Sequence, residues 1–478
     1  MKRVIHSLMF ACSTLVALSV LAEPPLPGGL APDNRDEDKP ASGGPALPSG
    51  LGLPGSDTPS EPSLPTGLGD DSRFINEERG YSPFSLYGFA EARVGQRTHD
   101  DELQRNTSIG EGRVQLTLDY AGEKVTARVT GDFLFDDVQR DESVQLDRGR
   151  GPFDLREAWL QAPVNRHLDV KVGRQILTWG VGDLLFINDL FPKDWNSFFS
   201  GRDTEYLKAP SDALKLAFYS EAANLDVVYV PEFDNDRFID GRRISFYNPL
   251  IGDHSGRDMP VTPDFPHGRE LALRLYKTVS GAELALYGYD GYWKSPNGYD
   301  PIKGQNTFPE LRVWGASLRG NLGPGIASAE VGYYDSREDR DGDDPLINNS
   351  ESRLLLAYEQ ELVRDLTGAL QYYVERIEDY DNYRDNLPAG TPQRDKYRQV
   401  LTTRLTWLTH NQNVTWSLFT YYSPSDRDWY ARPKVSWKAT DQLLLETSIN
   451  SFGGSEETTF FGQFEEASNV YAAIRYSF

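Results

Sequence analysis

Apolar and polar residues alternate one for one along the last ten residues of the chain. Val470, Ala472, Ile474, Tyr476 and Phe478 are apolar, and Asn469, Tyr471, Ala473, Arg475 and Ser477 between them are mostly polar or small. A period of two sends successive side chains to opposite faces of a β-strand. The rhythm recurs from Tyr81 onward. Val114, Leu116, Leu118 and Tyr120 alternate with Arg113, Gln115, Thr117 and Asp119. Val125, Ala127, Val129, Phe133 and Phe135 stand against Lys124, Thr126, Arg128, Thr130 and Asp132. Leu271, Leu273 and Leu275 stand against Glu270, Ala272, Arg274 and Tyr276, and residues 401–407 and 429–437 repeat the pattern. In a soluble sandwich such apolar faces meet across a core. In a membrane barrel they meet lipid, and the polar faces line a lumen.

Connection lengths separate the two. Short connections fall near Ala121-Gly122, Asn165, Ala222-Ala223, Ser280-Gly281, Gly323-Pro324, Arg364-Asp365, Asn411-Gln412 and Thr440-Asp441. Long ones lie between them, including residues 136–151, 180–208, 234–266, 291–307, 336–349 and 378–395. Long–short alternation predicts an all-β fold, a transmembrane up-and-down antiparallel β-barrel over residues 81–478. The count is about 18 strands, with 16 allowed by the strand boundaries. An even count returns both termini to the side of the tight turns.

The N-terminal regions fit export. Lys2 and Arg3 precede an apolar stretch, Val4–Leu21, and Ala22 offers a small residue for cleavage, so residues 1–22 read as a signal peptide. Cys12, the single cysteine, lies inside it, so the mature chain carries no thiol, disulfide or cysteine metal site. Residues 23–80 are rich in Pro, Gly, Ser and Asp and repeat one word three times, as Leu26-Pro27-Gly28-Gly29-Leu30, Leu47-Pro48-Ser49-Gly50-Leu51 and Leu64-Pro65-Thr66-Gly67-Leu68. Such a composition buries too little surface to offset its ordering entropy, and reads as a disordered periplasmic tether. Its sharper reading is a docking segment for a periplasmic partner.

Composition excludes some functions. Loss of Lys2 and Arg3 with the leader takes the formal charge from -23 to -25, which disfavours nucleic acid. Only 38% of residues are hydrophobic, yet the chain carries 25 Tyr, 23 Phe and 9 Trp, as a barrel with interfacial aromatics would. The histidines after the leader, His99, His167, His254, His267 and His410, fall in turns and loops without a catalytic spacing, and no enzymatic activity is expected. The acidic run Asp339, Asp341, Asp343 and Asp344 has Gly342 at the wrong place for an EF-hand, and neither metal nor cofactor is expected.

A barrel of this size leaves an aqueous lumen. Alternation turns Arg113, Arg128, Lys171, Arg274, Arg319, Arg353, Arg404, Arg432, Lys434 and Arg475 inward, together with Asp132 and nine other acids. Equal numbers of each sign give no bulk preference for anions or cations. Arg174 breaks the rhythm: Leu168, Val170 and Val172 send it toward lipid, where an arginine costs about 2–4 kcal/mol at the bilayer centre. A bulge at Gly173 is expected to turn it inward. The segment after it, residues 181–208, is too apolar to float in water. It is expected to fold into the barrel as a constriction presenting Asp183, Asp189, Lys193, Asp194 and Trp195, with a helical turn over Asp189–Phe199.

Two stretches carry a resemblance. The terminal strand ending on Phe478 resembles the closing strand of bacterial outer-membrane barrels, which pairs with the first strand and is read by the insertion machinery. Gly173-Arg174-Gln175, Trp179-Gly180 and Ile187-Asn188-Asp189 resemble large proteobacterial porin-like families, among them alginate-export-type barrels. That resemblance implies a conduit with an arginine-rich lumen, and Arg174 as an inward group. The balanced charge departs from it, so the polymer does not carry over. The expectation is a Gram-negative outer-membrane channel for polar or charged solutes, in contact with lipid and lipopolysaccharide. The alternatives are an exopolysaccharide exporter and a plugged structural barrel.

Overall fold

The computed structural model describes residues 82–140 and 142–478. The leader, residues 1–22, and the tether, residues 23–80, lie outside the described residues. From Phe84 the chain forms a barrel of eighteen antiparallel strands, each paired with the barrel strands before and after it, and two short hairpins in the long connections, Phe246–Asn248 with Asp253–Ser255 and Gly298–Asp300 with Gln305–Thr307. The first strand, Phe84–Arg97, pairs with the last, Asn469–Ser477, in a register running from Phe89 opposite Ser477 to Arg97 opposite Asn469. Phe478 completes the seam: its N–H donates to Gly88 O and its carbonyl accepts from Gly88 N, each at 3.0 Å. Closure leaves no strand edge unpaired, which a strand wall in lipid requires.

The alternation in the sequence becomes two surfaces. Outward side chains such as Leu86 (68% exposed), Leu286 (58%) and Trp314 (58%) form an apolar belt. On three neighbouring strands the belt has two aromatic edges. Trp407, Trp416 and Trp437 cluster near the tight turns, and Tyr422 faces Trp429 near the other end. Trp416 and Tyr422 are six residues apart, roughly 20 Å along a strand, close to the height of a membrane belt. This much exposed apolar surface is stable only in a non-aqueous surrounding.

The tight turns are built for hairpins. Ser280 (φ 52°) and Gly281 (φ 81°) are both left-handed, the twist that a two-residue hairpin needs. The opposite rim carries the long connections, with one departure from strict alternation. Residues 424–427 join two strands in four residues, as tightly as the inner turns.

Two local expectations are corrected. The helix after the fifth strand is Trp195–Ser200 and does not begin at Asp189. Asp194 is its N-cap and accepts from Ser197 N at 2.7 Å, and Gly201 (φ 90°) ends it. Pro192 and a backbone bond from Asp194 N to Leu207 O hold the preceding residues extended. The bulge expected at Gly173 is absent. Gly173 is left-handed (φ 117°), but pairing runs without a register shift from Val172 to Arg174 on both sides. The shift lies one pair of strands away, between Thr130 and Gly131, and re-aims Arg156.

Candidate functional site

The inner face of the wall and the segment 177–209 make one packed unit. Every second residue of the wall points inward, and on most strands at least one is a charged or hydrogen-bonding group. The segment leaves the fifth strand at Leu177, meets wall strands on several sides of the barrel, and returns at Ala209 to the sixth strand, Pro210–Phe218.

Its first half is tied down by Glu330, which is 1% exposed. The Glu330 carboxylate accepts from Asn188 N at 2.7 Å, Val181 N at 3.0 Å and Gly182 N at 3.2 Å. Gly332 lies two residues on, and Gly315 faces it across the strand pair. A Cβ on Gly332 would stand 2.6 Å from Ile187 Cγ2, and one on Gly315 would overlap the Asn188 amide. Two facing glycines flatten the wall so that Ile187 and Asn188 can lie against it. Farther round, Arg404 donates to both carboxylate oxygens of Asp183, and Tyr334 and Tyr421 donate to the carbonyls of Ile187 and Leu184.

Its second half is held by aromatic packing. Phe198 and Phe199 are buried against Tyr430, Phe452, Phe461 and Phe464, with Tyr430 and Phe452 stacked at 4.6 Å. Arg93, 1% exposed, donates to Gly201 O at 2.6 Å and pairs with Glu91 and Glu446. Arg432 donates to Arg202 O at 2.9 Å and to Tyr471 Oη at 3.0 Å. Tyr206 lies under Arg113 at 3.9 Å, and Arg156 donates to Lys208 O at 2.8 Å.

Most of the other candidate lining residues fall into ion pairs. Arg113 meets Glu111 (2.6 Å) and Asp132, Arg128 meets Asp119 (2.7 Å), and Arg274 meets Glu283 (2.6 Å). Arg353 meets Glu351 (2.6 Å), Lys434 meets Glu446 (2.9 Å), and Arg475 meets Glu91 (2.9 Å). Lys171 sits 3.9 Å over the Trp159 ring, and Arg319 faces Glu283 and Ser328 in register.

Arg174 is a correction. It stands opposite Ala158 and Asp212, on the same side of the sheet as Val172 and Leu214, while Gln175 and Ala213 are buried on the other side. It therefore faces out, two residues before its strand ends. Asp212 (2.7 Å) and Asp147 (3.1 Å) meet its guanidinium there. A rim arginine with two carboxylates needs no bulge to turn it inward.

In the loop, Lys193 pairs with Asp189 at 3.0 Å, and Thr178 donates to Asp189 at 2.8 Å. Asp194 meets Arg237, which also pairs with Asp154 at 2.8 Å. Trp195 Nε1 and Lys193 N donate to Asp236, a residue of the next long connection, 231–269. Burial raises the Asp236 carboxyl, and it raises Asp234 to about 7 despite Lys294, with Glu270 adding to the rise. Burial alone would also raise Asp203, but Lys434 and Arg475 hold it low.

Above the loop, toward the long connections, is a cavity of about 250 Å³. Phe186, Trp195, Trp293, Tyr421 and Phe460 supply rings to it, and Asp189, Lys193, Lys294, Arg353 and Arg398 supply charge. Arg93 and the Gly315–Gly332 pair carry no signal in the sequence that singles them out. Glu330 is one of the nine further acids that alternation turns inward.

No protein-family model matches the sequence, and no curated protein matches it. Among solved structures, Acinetobacter baumannii OccAB4 is similar at 9% identity and a TM-score of 0.51, over 84% of this chain and 100% of that one. Pseudomonas aeruginosa OccK11 (OpdR) gives 9% and 0.48, over 82% and 95%. A mutant of Rh. blastica porin gives 12% and 0.36, over 83% and 100%. The first of these supports the barrel fold.

Proposed function

We propose that this chain is an outer-membrane channel for small polar solutes, in which the segment 177–209 narrows the lumen. One observation carries the reading: that single segment bonds to inward side chains from Arg93 and Arg113 on the first two strands to Glu330, Arg404 and Arg432 on later ones. An apolar belt outside and a hydrated, ion-paired face inside suit a barrel that passes water-soluble molecules through lipid. A wall-to-wall loop weighs against passage of a polymer, and so against the exopolysaccharide exporter.

The same reading places the leader, residues 1–22, as a cleaved export signal and residues 23–80 as a periplasmic tether. Phe478, bonded into the barrel seam, is the end that insertion machinery would read, and lipid and lipopolysaccharide surround the belt.

The test is single-channel conductance of the refolded mature protein in a planar bilayer, with reversal potentials under a salt gradient. A stable open conductance supports the channel. A folded, heat-modifiable barrel without conductance refutes it and favours the plugged structural barrel. Because the charged lining groups are mostly paired, weak ion selectivity is expected.

A further inference from the structure

We infer that the cavity above the loop is a binding site for a neutral, polyhydroxylated ring of about monosaccharide size, an inference that rests on the reading of the barrel as a solute channel. The first argument is charge. Each of the four cations lining the cavity already has a carboxylate within 3.0 Å: Lys193 has Asp189, Lys294 has Glu270, Arg353 has Glu351 and Arg398 has Asp426. An anionic solute would have to displace one of these carboxylates and leave it buried without its partner, which is strongly unfavourable. The acid Asp236 is equally committed, to Lys193 N, Trp195 Nε1 and Ser295 Oγ. The lining therefore offers an ion no free counter-charge.

The second argument is what remains unsatisfied. Trp293 is 5% exposed, and its indole N–H has no hydrogen-bond partner among the described residues. Asp189 is 6% exposed, and its Oδ1 meets Lys193 Nζ at 3.0 Å and no other donor, which leaves lone pairs for a further one. Both residues line this cavity. An unpartnered donor and an acceptor with spare lone pairs in one cavity wall suit a ligand that both accepts and donates, and hydroxyl groups do both.

The third argument is shape. Phe460 is 44% exposed and Phe186 and Trp195 are half-buried, and all three line the cavity. Apolar faces with a few placed polar groups are the general design of a small-molecule site. The C–H face of a pyranose lies on such rings while its hydroxyls reach Trp293 and Asp189. A volume of about 250 Å³ holds one such ring.

The experiment measures equilibrium binding to the full chain in detergent by titration calorimetry, with glucose and sodium glucuronate as probes, and measures conductance separately in a bilayer. Saturable glucose binding is expected, with glucuronate at least tenfold weaker. Trp293→Phe and Asp189→Asn, each checked for heat-modifiable folding, should each weaken glucose binding at least fivefold. Glucuronate binding as tightly as glucose overturns the inference in favour of an anion site. Conductance without saturable sugar binding overturns it and leaves the channel reading intact. Saturable binding without conductance leaves the site standing and removes the channel. Folded variants that bind glucose like the parent overturn the assigned hydrogen bonds.

Discussion

Glu330 is the residue whose loss should release the loop. Its carboxylate is the acceptor for the backbone N–H groups of Asn188, Val181 and Gly182, at 2.7, 3.0 and 3.2 Å. Glu330→Ala removes that acceptor and leaves three N–H groups against a closed wall. Each buried donor left without a partner costs about 1–3 kcal/mol, so the docked loop loses at least about 3 kcal/mol. That shifts the ratio of released to docked loop by roughly two orders of magnitude. The Asp183–Arg404 pair and the aromatic cluster around Phe199 remain, so the barrel itself should still fold. Single-channel recording should then show larger conductance states and more frequent switching. Glu330→Gln, which keeps one acceptor oxygen but turns an NH₂ toward donors, should fall between the two. A folded Glu330→Ala barrel with the parent's conductance and noise refutes the claim that this carboxylate holds the loop.

Gly332→Val should give the same noisy channel, because a Cβ there meets Ile187 Cγ2 at 2.6 Å. Gly288→Ala, whose Cβ would meet Trp314 at an ordinary 3.5 Å, should be silent in the same recordings. Arg404→Ala and Asp183→Asn should be non-additive in a double-mutant cycle of loop release, with coupling on the order of 1–3 kcal/mol; additive effects exclude the pair as a tether. Asp234 predicts a pH dependence. Its folded carboxyl is raised from 3.8 to about 7, so its stabilising contribution is full below pH about 4 and is lost as pH rises through about 7. Asp234→Asn keeps an acceptor for Asp212 N and cannot ionise. In urea it should gain a few kcal/mol over the parent at pH 8 and little at pH 4; an equal gain at both values removes Asp234 as the cause.

Local pattern and tertiary contact divide this protein between them. The strands were legible because a period of two is written in neighbouring residues: Val114 to Tyr120, or Val470 to Phe478, needs no partner to be read. The order of pairing followed from short turns, since Ser280-Gly281 can only join adjacent strands. The apolar character of residues 181–208 likewise showed that this segment needs cover. What covers it was not legible. Glu330 meets Asn188 across 142 residues, and Arg404 meets Asp183 across 221. Gly315 and Gly332 read as ordinary strand glycines until Ile187 and Asn188 lie against them. Arg174 shows the same limit from the other side. Its outward direction was readable from Val172, and the error lay in assuming that an outward arginine must be uncompensated. Asp212 reaches it only once the fifth and sixth strands pair, and Asp147 only once the rim connection is folded. Direction along a strand is set by backbone geometry, residue by residue. The partner that makes a direction tolerable is set by which distant segments the closed wall brings within a few ångströms.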